Sequence, residues 1–113
     1  MKINNLFVKT FMITLFSLGN SAYSLSLEDA ETKANEVCAA CHGKDGITAV
    51  LPSYPILAGQ HEDYLNQALL DYKSGARKNA VMAGIASTLS KNDIEGLSKY
   101  FASLPGPLNI KKR

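Results

Sequence analysis

The sequence predicts an all-α fold, and three observations carry that expectation. Apolar side chains recur at helical spacing in separate stretches, no stretch alternates apolar and polar residues as a half-buried strand does, and the connections are broken by glycine and proline. The chain has 113 residues, which is room for one domain once its first segment is set aside.

That first segment has the grammar of an export signal. Lys2 and Lys9 give it a positive start, the run from Phe11 to Leu18 is largely apolar, and small residues close it. Ala22 and Ser24 stand three and one positions before a cut between Ser24 and Leu25, with a cut after Ala22 as the alternative. The apolar run is shorter than the roughly 20 residues that cross a bilayer. Residues 1–24 are therefore expected to be a cleaved signal peptide, leaving a domain over 25–104 and a basic tail over 105–113, located in the periplasm with no integral membrane span. Lys2 and Lys9 also account for the whole formal net charge of +2. The remaining chain is near neutral and has no basic face with interleaved aromatics, so nucleic-acid binding is not expected.

The elements follow in order. Leu27, Ala30, Ala34 and Val37 mark one helical face, and Glu28, Asp29 and Glu31 put negative charge where a first turn favours it, so a helix is predicted from about Leu27 to Ala40. From Gly43 to Gly59 the chain carries Gly46, Pro52 and Pro55 without sustained periodicity and reads as a long loop that needs something to pack on. Helical spacing resumes from His61 to Ser74 through Tyr64, Leu65, Ala68, Leu69 and Tyr72, and Gly75 stands at the stop. A short helix is expected around Ala80 to Ala86. Ser90, followed three residues later by Asp93, resembles an N-cap pair for a last helix over Lys91 to Ser103, with Ile94, Leu97, Phe101 and Leu104 on its apolar stripe, Tyr100 alongside, and Pro105-Gly106-Pro107 ending it.

A chain this short buries only a modest core unaided, so a staple, metal or cofactor is expected. Cys38-Ala39-Ala40-Cys41-His42 identifies it, because C-x-x-C-H is the attachment motif of c-type haem. On a helix, positions three apart share a face, so both thiols reach one porphyrin edge while the alanines between keep the turn uncrowded. His42 then comes beneath the tethered ring, where an imidazole nitrogen binds iron. A disulfide between Cys38 and Cys41 is the plain alternative for an exported chain, but the redox version of that motif belongs in a βαβ context absent here. Closed zinc coordination needs four ligands, and His61 is the only further histidine.

Met82 is the one methionine beyond the leader. A lone methionine is usually core filler. Beside a haem motif, in the small-residue stretch Asn79-Ala80-Val81-Met82-Ala83-Gly84, it becomes the candidate sixth iron ligand. His61 competes for that position, although a histidine opening a helix after Gly59-Gln60 is more commonly a solvated side chain. Thioether ligation favours ferrous iron and raises the potential.

With those residues in hand, the stretch from about Glu36 to Leu104 resembles class I cytochromes c, in particular the bacterial cytochrome c4 and c553 type. The resemblance rests on Cys38 to Gly43 followed by Asp45-Gly46, on Pro55-Ile56-Leu57-Ala58-Gly59-Gln60, on Gly75-Ala76-Arg77 through Met82, and on Leu89-Ser90 with Tyr100-Phe101. It implies a small fold of about four helices around one covalent haem c, with Cys38 and Cys41 as attachment points, His42 as proximal and Met82 as distal iron ligand. It further implies that the Pro55 carbonyl accepts the Nδ1 hydrogen of His42. Cytochrome c4 proteins carry two such domains, whereas this chain has one C-x-x-C-H, and where that family often has a second methionine this chain has Gly84-Ile85-Ala86.

The functional expectation is a periplasmic carrier, monomeric or weakly dimeric, that shuttles single electrons between respiratory redox partners such as a complex or an oxidase and performs no bond-making chemistry. No Ser/His/Asp set or phosphate-cradling glycine loop is evident, and Asp63 and Asp71 read as a solvated helix face. The alternatives are a haem c subunit of a larger dehydrogenase or oxidase complex, marked by an exposed apolar patch, and a ligand-binding or peroxidase-like protein with an open sixth site. The tail Lys111-Lys112-Arg113 reads as a solubilising end.

Overall fold

The computed structural model describes residues 24–108. The expected leader, save its last residue, and the Lys111-Lys112-Arg113 tail lie outside the described residues. Among the described residues all regular structure is helical: α1 (Leu27–Val37), α2 (Ala39–His42), α3 (Glu62–Ser74), α4 (Ala80–Ser87) and α5 (Lys91–Ser103). Helices α1 and α5 pack on each other, α3 packs on both α5 and α4, and α2 continues from α1.

The first expected helix is two helices. Cys38 closes α1 with a hydrogen bond from its N–H to the Ala34 carbonyl, 2.9 Å, and its own carbonyl accepts from Cys41 and His42, at 3.2 and 3.0 Å. The chain thus restarts after Cys38 as the short helix α2. Ser26 begins α1 by accepting from the Asp29 N–H at 3.1 Å and donating its hydroxyl to the Asp29 carboxylate at 2.6 Å. Ala30 and Ala34 are buried as their spacing requires, but Leu27 is 56% exposed. Its expected place is taken by Leu25, which packs against the core and lies so near Gly96 that a Cβ there would come within 2.7 Å of the Leu25 side chain. Ala30 and Ala34 are small, buried residues of α1, which packs on α5, and Gly96 of α5 leaves the room that Leu25 fills.

Helix α5 carries most of the core. Ser90 and Asp93 form a reciprocal capping box, the Asp93 N–H donating to Ser90 Oγ at 3.1 Å and the Ser90 N–H to Asp93 Oδ2 at 2.8 Å. The other Asp93 oxygen lies 3.3 Å from Lys33 Nζ, which ties the cap to α1. Burial works to raise the Asp93 pKa, yet the Ser90 and Lys33 hydrogen bonds leave it below the ordinary value. Ile94, Leu97, Tyr100 and Phe101 are buried, with the Tyr100 and Phe101 rings edge to face at 5.2 Å. Buried Ser98 satisfies its hydroxyl on the Ile94 carbonyl at 2.7 Å.

Helix α3 begins one residue later than its periodicity suggests, because His61 has extended backbone and serves as N-cap. Leu65 is buried, but Tyr64, expected on the same face, is 51% exposed. Its hydroxyl accepts from the Arg77 guanidinium at 3.4 Å, while the same guanidinium lies 4.9 Å from the Tyr72 ring centroid. An aromatic with a polar tip is suited to that half-wet position. The Lys73 ammonium donates to the Leu89 carbonyl and fastens α3 to the turn after α4. Asn79 caps α4 by accepting from the Met82 N–H at 2.9 Å.

Candidate haem attachment site

The site is built on α2 and the loop that follows it. Cys38 and Cys41 are both free thiols, each half-buried. Before attachment, burial chiefly, and then the like charge of Cys41, pushes the Cys38 thiol up to about 11. Among the described residues no group of three or more His, Cys, Asp or Glu side chains is arranged to hold a metal ion.

His42 is 7% exposed. Its Nδ1 lies 3.0 Å from the Pro55 carbonyl oxygen. A carbonyl only accepts, so Nδ1 carries the hydrogen and Nε2 keeps a bare lone pair suited to a metal. The Tyr54 ring sits 6.1 Å from the imidazole, tilted by 44°.

The loop holding Pro55 is itself held. The Val50 N–H donates to the Cys41 carbonyl at 3.0 Å, and the Gly46 carbonyl accepts from Leu57 at 2.8 Å and Ala58 at 3.1 Å. Gly46 is buried with φ +67, and a Cβ there would meet the Phe101 ring at 3.1 Å. Asp45 organises the turn around it. One carboxylate oxygen accepts from the Ile47 and Thr48 N–H groups, both at 2.8 Å, and the other from the Thr48 hydroxyl at 2.7 Å. The Thr48 N–H and hydroxyl, followed by the Ile47 N–H, hold the Asp45 carboxyl down at about 2. In the sequence, Asp45 stands out only through the Asp45-Gly46 pair of the family resemblance. The available signal was an aspartate followed by glycine and, three residues on, threonine, which is the composition of a side-chain-closed turn.

The structure brings Cys38, Cys41, His42 and Pro55 together. Met82 stands on a separate element, half-buried on the face of α4 that also carries Ala83, Ile85 and Ala86, while Val81 and Gly84 are exposed. His61 is exposed at the start of α3. The loop after α2 also presents Val50 and Leu51, 62% and 48% exposed.

Two free thiols and a buried imidazole with its second nitrogen already engaged, all within one turn of an all-helical fold, are a donor set that fits covalent attachment of haem. Comparison with known proteins agrees. The cytochrome c family model matches residues 27–105. Cytochrome c4 of Pseudomonas aeruginosa is 39% identical over 98 residues, covering 84% of this chain and 48% of that protein. Cytochrome c-553 of Helicobacter pylori is 36% identical over 91 residues, covering 80% of this chain and 95% of that protein. The crystal structure of reduced cytochrome c4 from Pseudomonas stutzeri superposes with a TM-score of 0.62 at 33% identity, covering 70% of this chain and 48% of that one. The chain belongs to the cytochrome c family, and its cofactor is covalently attached haem c with its iron. It spans about half the length of the cytochrome c4 relatives it matches.

Proposed function

We propose that this chain is a periplasmic electron carrier with one haem c, shuttling single electrons between respiratory redox partners. In this reading Cys38 and Cys41 hold the haem by thioethers, His42 is the proximal iron ligand, Met82 the distal one, and residues 1–24 are the export signal. The observation that carries the proposal is the His42 to Pro55 hydrogen bond of 3.0 Å. It selects the tautomer with hydrogen on Nδ1, leaves Nε2 to the iron, and raises the basicity of the ligand.

When bound, the haem supplies a one-electron couple at its iron. The chain's own residues then have three tasks. His42 and Met82 set the balance between ferric and ferrous states, the thioether drawing it towards ferrous. Burial of His42 beneath Tyr54 and the Pro55 segment keeps water from the imidazole. The loop with Val50 and Leu51 offers an apolar contact surface beside the attachment cysteines. No residue is assigned a part in making or breaking substrate bonds.

The test is an absorbance spectrum of ferric and dithionite-reduced protein made in a host that attaches haem c. A c-type spectrum with the weak far-red ferric band of sulfur ligation supports His42 and Met82 as the pair. Haem without that band reopens His61 or an open sixth site, and absence of covalent haem overturns the proposal. A second reading, a haem c subunit of a larger dehydrogenase or oxidase complex, is favoured by the exposure of Val50 and Leu51. Sedimentation of the native protein as one chain or as part of an assembly separates the two.

A further inference from the structure

Between the haem-binding helix and Pro55 lies a turn whose shape depends on one side chain. Asp45 spends both carboxylate oxygens on it, accepting from the Ile47 N–H, the Thr48 N–H and the Thr48 hydroxyl at 2.7–2.8 Å. The turn is fastened on the near side by the Gly46 N–H, which donates to the Gly43 carbonyl at 3.1 Å, one residue after His42. On the far side the Gly46 carbonyl takes both the Leu57 and Ala58 N–H groups. Leu57 is two residues beyond Pro55, so the same glycine peptide locates the segment whose carbonyl meets His42 Nδ1 at 3.0 Å. The turn has little freedom to shift, since Gly46 is wedged against Phe101 and Ala58.

We propose that Asp45 is a positioning residue for His42: it holds the turn that fixes the Pro55 carbonyl on the imidazole, and so sets how strongly His42 donates to the iron. This rests on the reading of His42 as proximal ligand. A firmly held acceptor on Nδ1 makes the imidazole a stronger donor, which favours ferric iron and keeps the potential down. Slackening the Pro55 carbonyl therefore raises the potential. Removing the negative charge of Asp45 acts in the same direction, so the test has to separate geometry from charge.

The experiment compares the wild-type holoprotein with Asp45→Asn, Asp45→Ala and Thr48→Val. Two quantities are read on each: the reduction potential, by spectroelectrochemistry, and the rate at which the His42 Nδ1 hydrogen exchanges with deuterated water, by NMR of the ferrous protein. Asp45→Asn loses the charge but keeps an oxygen for the two N–H donors; Asp45→Ala loses both. The expected result is that Asp45→Ala raises the potential more than Asp45→Asn and speeds exchange about tenfold, the scale of one lost hydrogen bond. Asp45→Asn should leave the exchange near the wild-type rate, and Thr48→Val, which removes only the hydroxyl donor, should give a smaller increase than Asp45→Ala. Equal potential shifts in Asp45→Asn and Asp45→Ala with unchanged exchange would reduce Asp45 to a surface charge and overturn the proposal. Should Asp45→Ala not retain haem, Thr48→Val decides: unchanged exchange there overturns the proposal as well. Failure of the wild type itself to show covalent haem would instead overturn the ligand reading on which this one rests.

Discussion

Replacing Gly43 by alanine tests whether the backbone after His42 is as constrained as the structure shows. Gly43 has φ 80 and ψ 153, a combination essentially confined to glycine, and forcing a side chain into it costs about 1–3 kcal/mol. The new Cβ would also lie 2.4 Å from the Thr48 carbonyl oxygen. That oxygen is backbone, and Asp45 holds Thr48 in place, so relief requires the turn to move, at a further cost of about 1–3 kcal/mol. The two together come to about 2–6 kcal/mol, and at about 4–8 °C per kcal/mol for a domain of this size the melting temperature of the holoprotein should fall by at least about 8 °C. Gly75→Ala is the control. Gly75 has φ 83, but a Cβ there meets nothing within 4 Å, so only the left-handed conformation is penalised, by about 1–2 kcal/mol. Thermal unfolding followed by circular dichroism on both holoproteins gives the comparison. If Gly43→Ala melts no lower than Gly75→Ala, the close packing of the turn on Gly43 is refuted.

Further outcomes follow from the proposed ligands and from the observed contacts. On the proposed ligation, Met82→Ala should abolish the far-red ferric band and allow rapid binding of carbon monoxide or cyanide, read by difference spectra; retention of the band would overturn Met82 as the distal ligand. Ser90→Ala should cost about 1 kcal/mol by removing the cap of α5. Combined with Asp93→Ala in urea titrations, it should cost less than the sum of the single changes, because the two side chains serve one box. The Asp45 carboxyl is held at about 2, below its ordinary value of 3.8, so its stabilising contribution is complete above the unfolded value and is lost as pH falls from about 4 towards 2. Acid titration of stability should therefore be flatter over that window in Asp45→Asn; identical profiles would deny Asp45 its hydrogen bonds in the folded state.

Helix ends were legible because their chemistry is local. The Ser90 and Asp93 pair closes its box within four residues, and Gly75 ends α3 in the left-handed conformation that its lack of a Cβ permits. The break at Cys38 was not legible: no glycine or proline marks it, and the alanines around it are good helix formers. Nor could periodicity tell that Leu27 and Tyr64 face water, since spacing assigns a residue to a helix face but not to the part of that face a neighbour covers. Leu25, outside any helix, supplies the contact against Gly96 in the place expected for Leu27.

By itself, the sequence determined the all-helical class, the span of α5 and the attachment motif Cys38 to His42, because each depends on residues a turn or so apart. Tertiary structure decided the environment of His42. Its partner Pro55 is thirteen residues away along an irregular loop, and the loop takes its path from contacts that no local rule contains: Asp45 closing the turn, Gly46 seated against Phe101, and the Gly59 N–H donating to the Phe101 carbonyl at 2.9 Å. A motif can name a ligand from composition and spacing, but the orientation of its ring depends on groups that only folding brings within hydrogen-bonding distance.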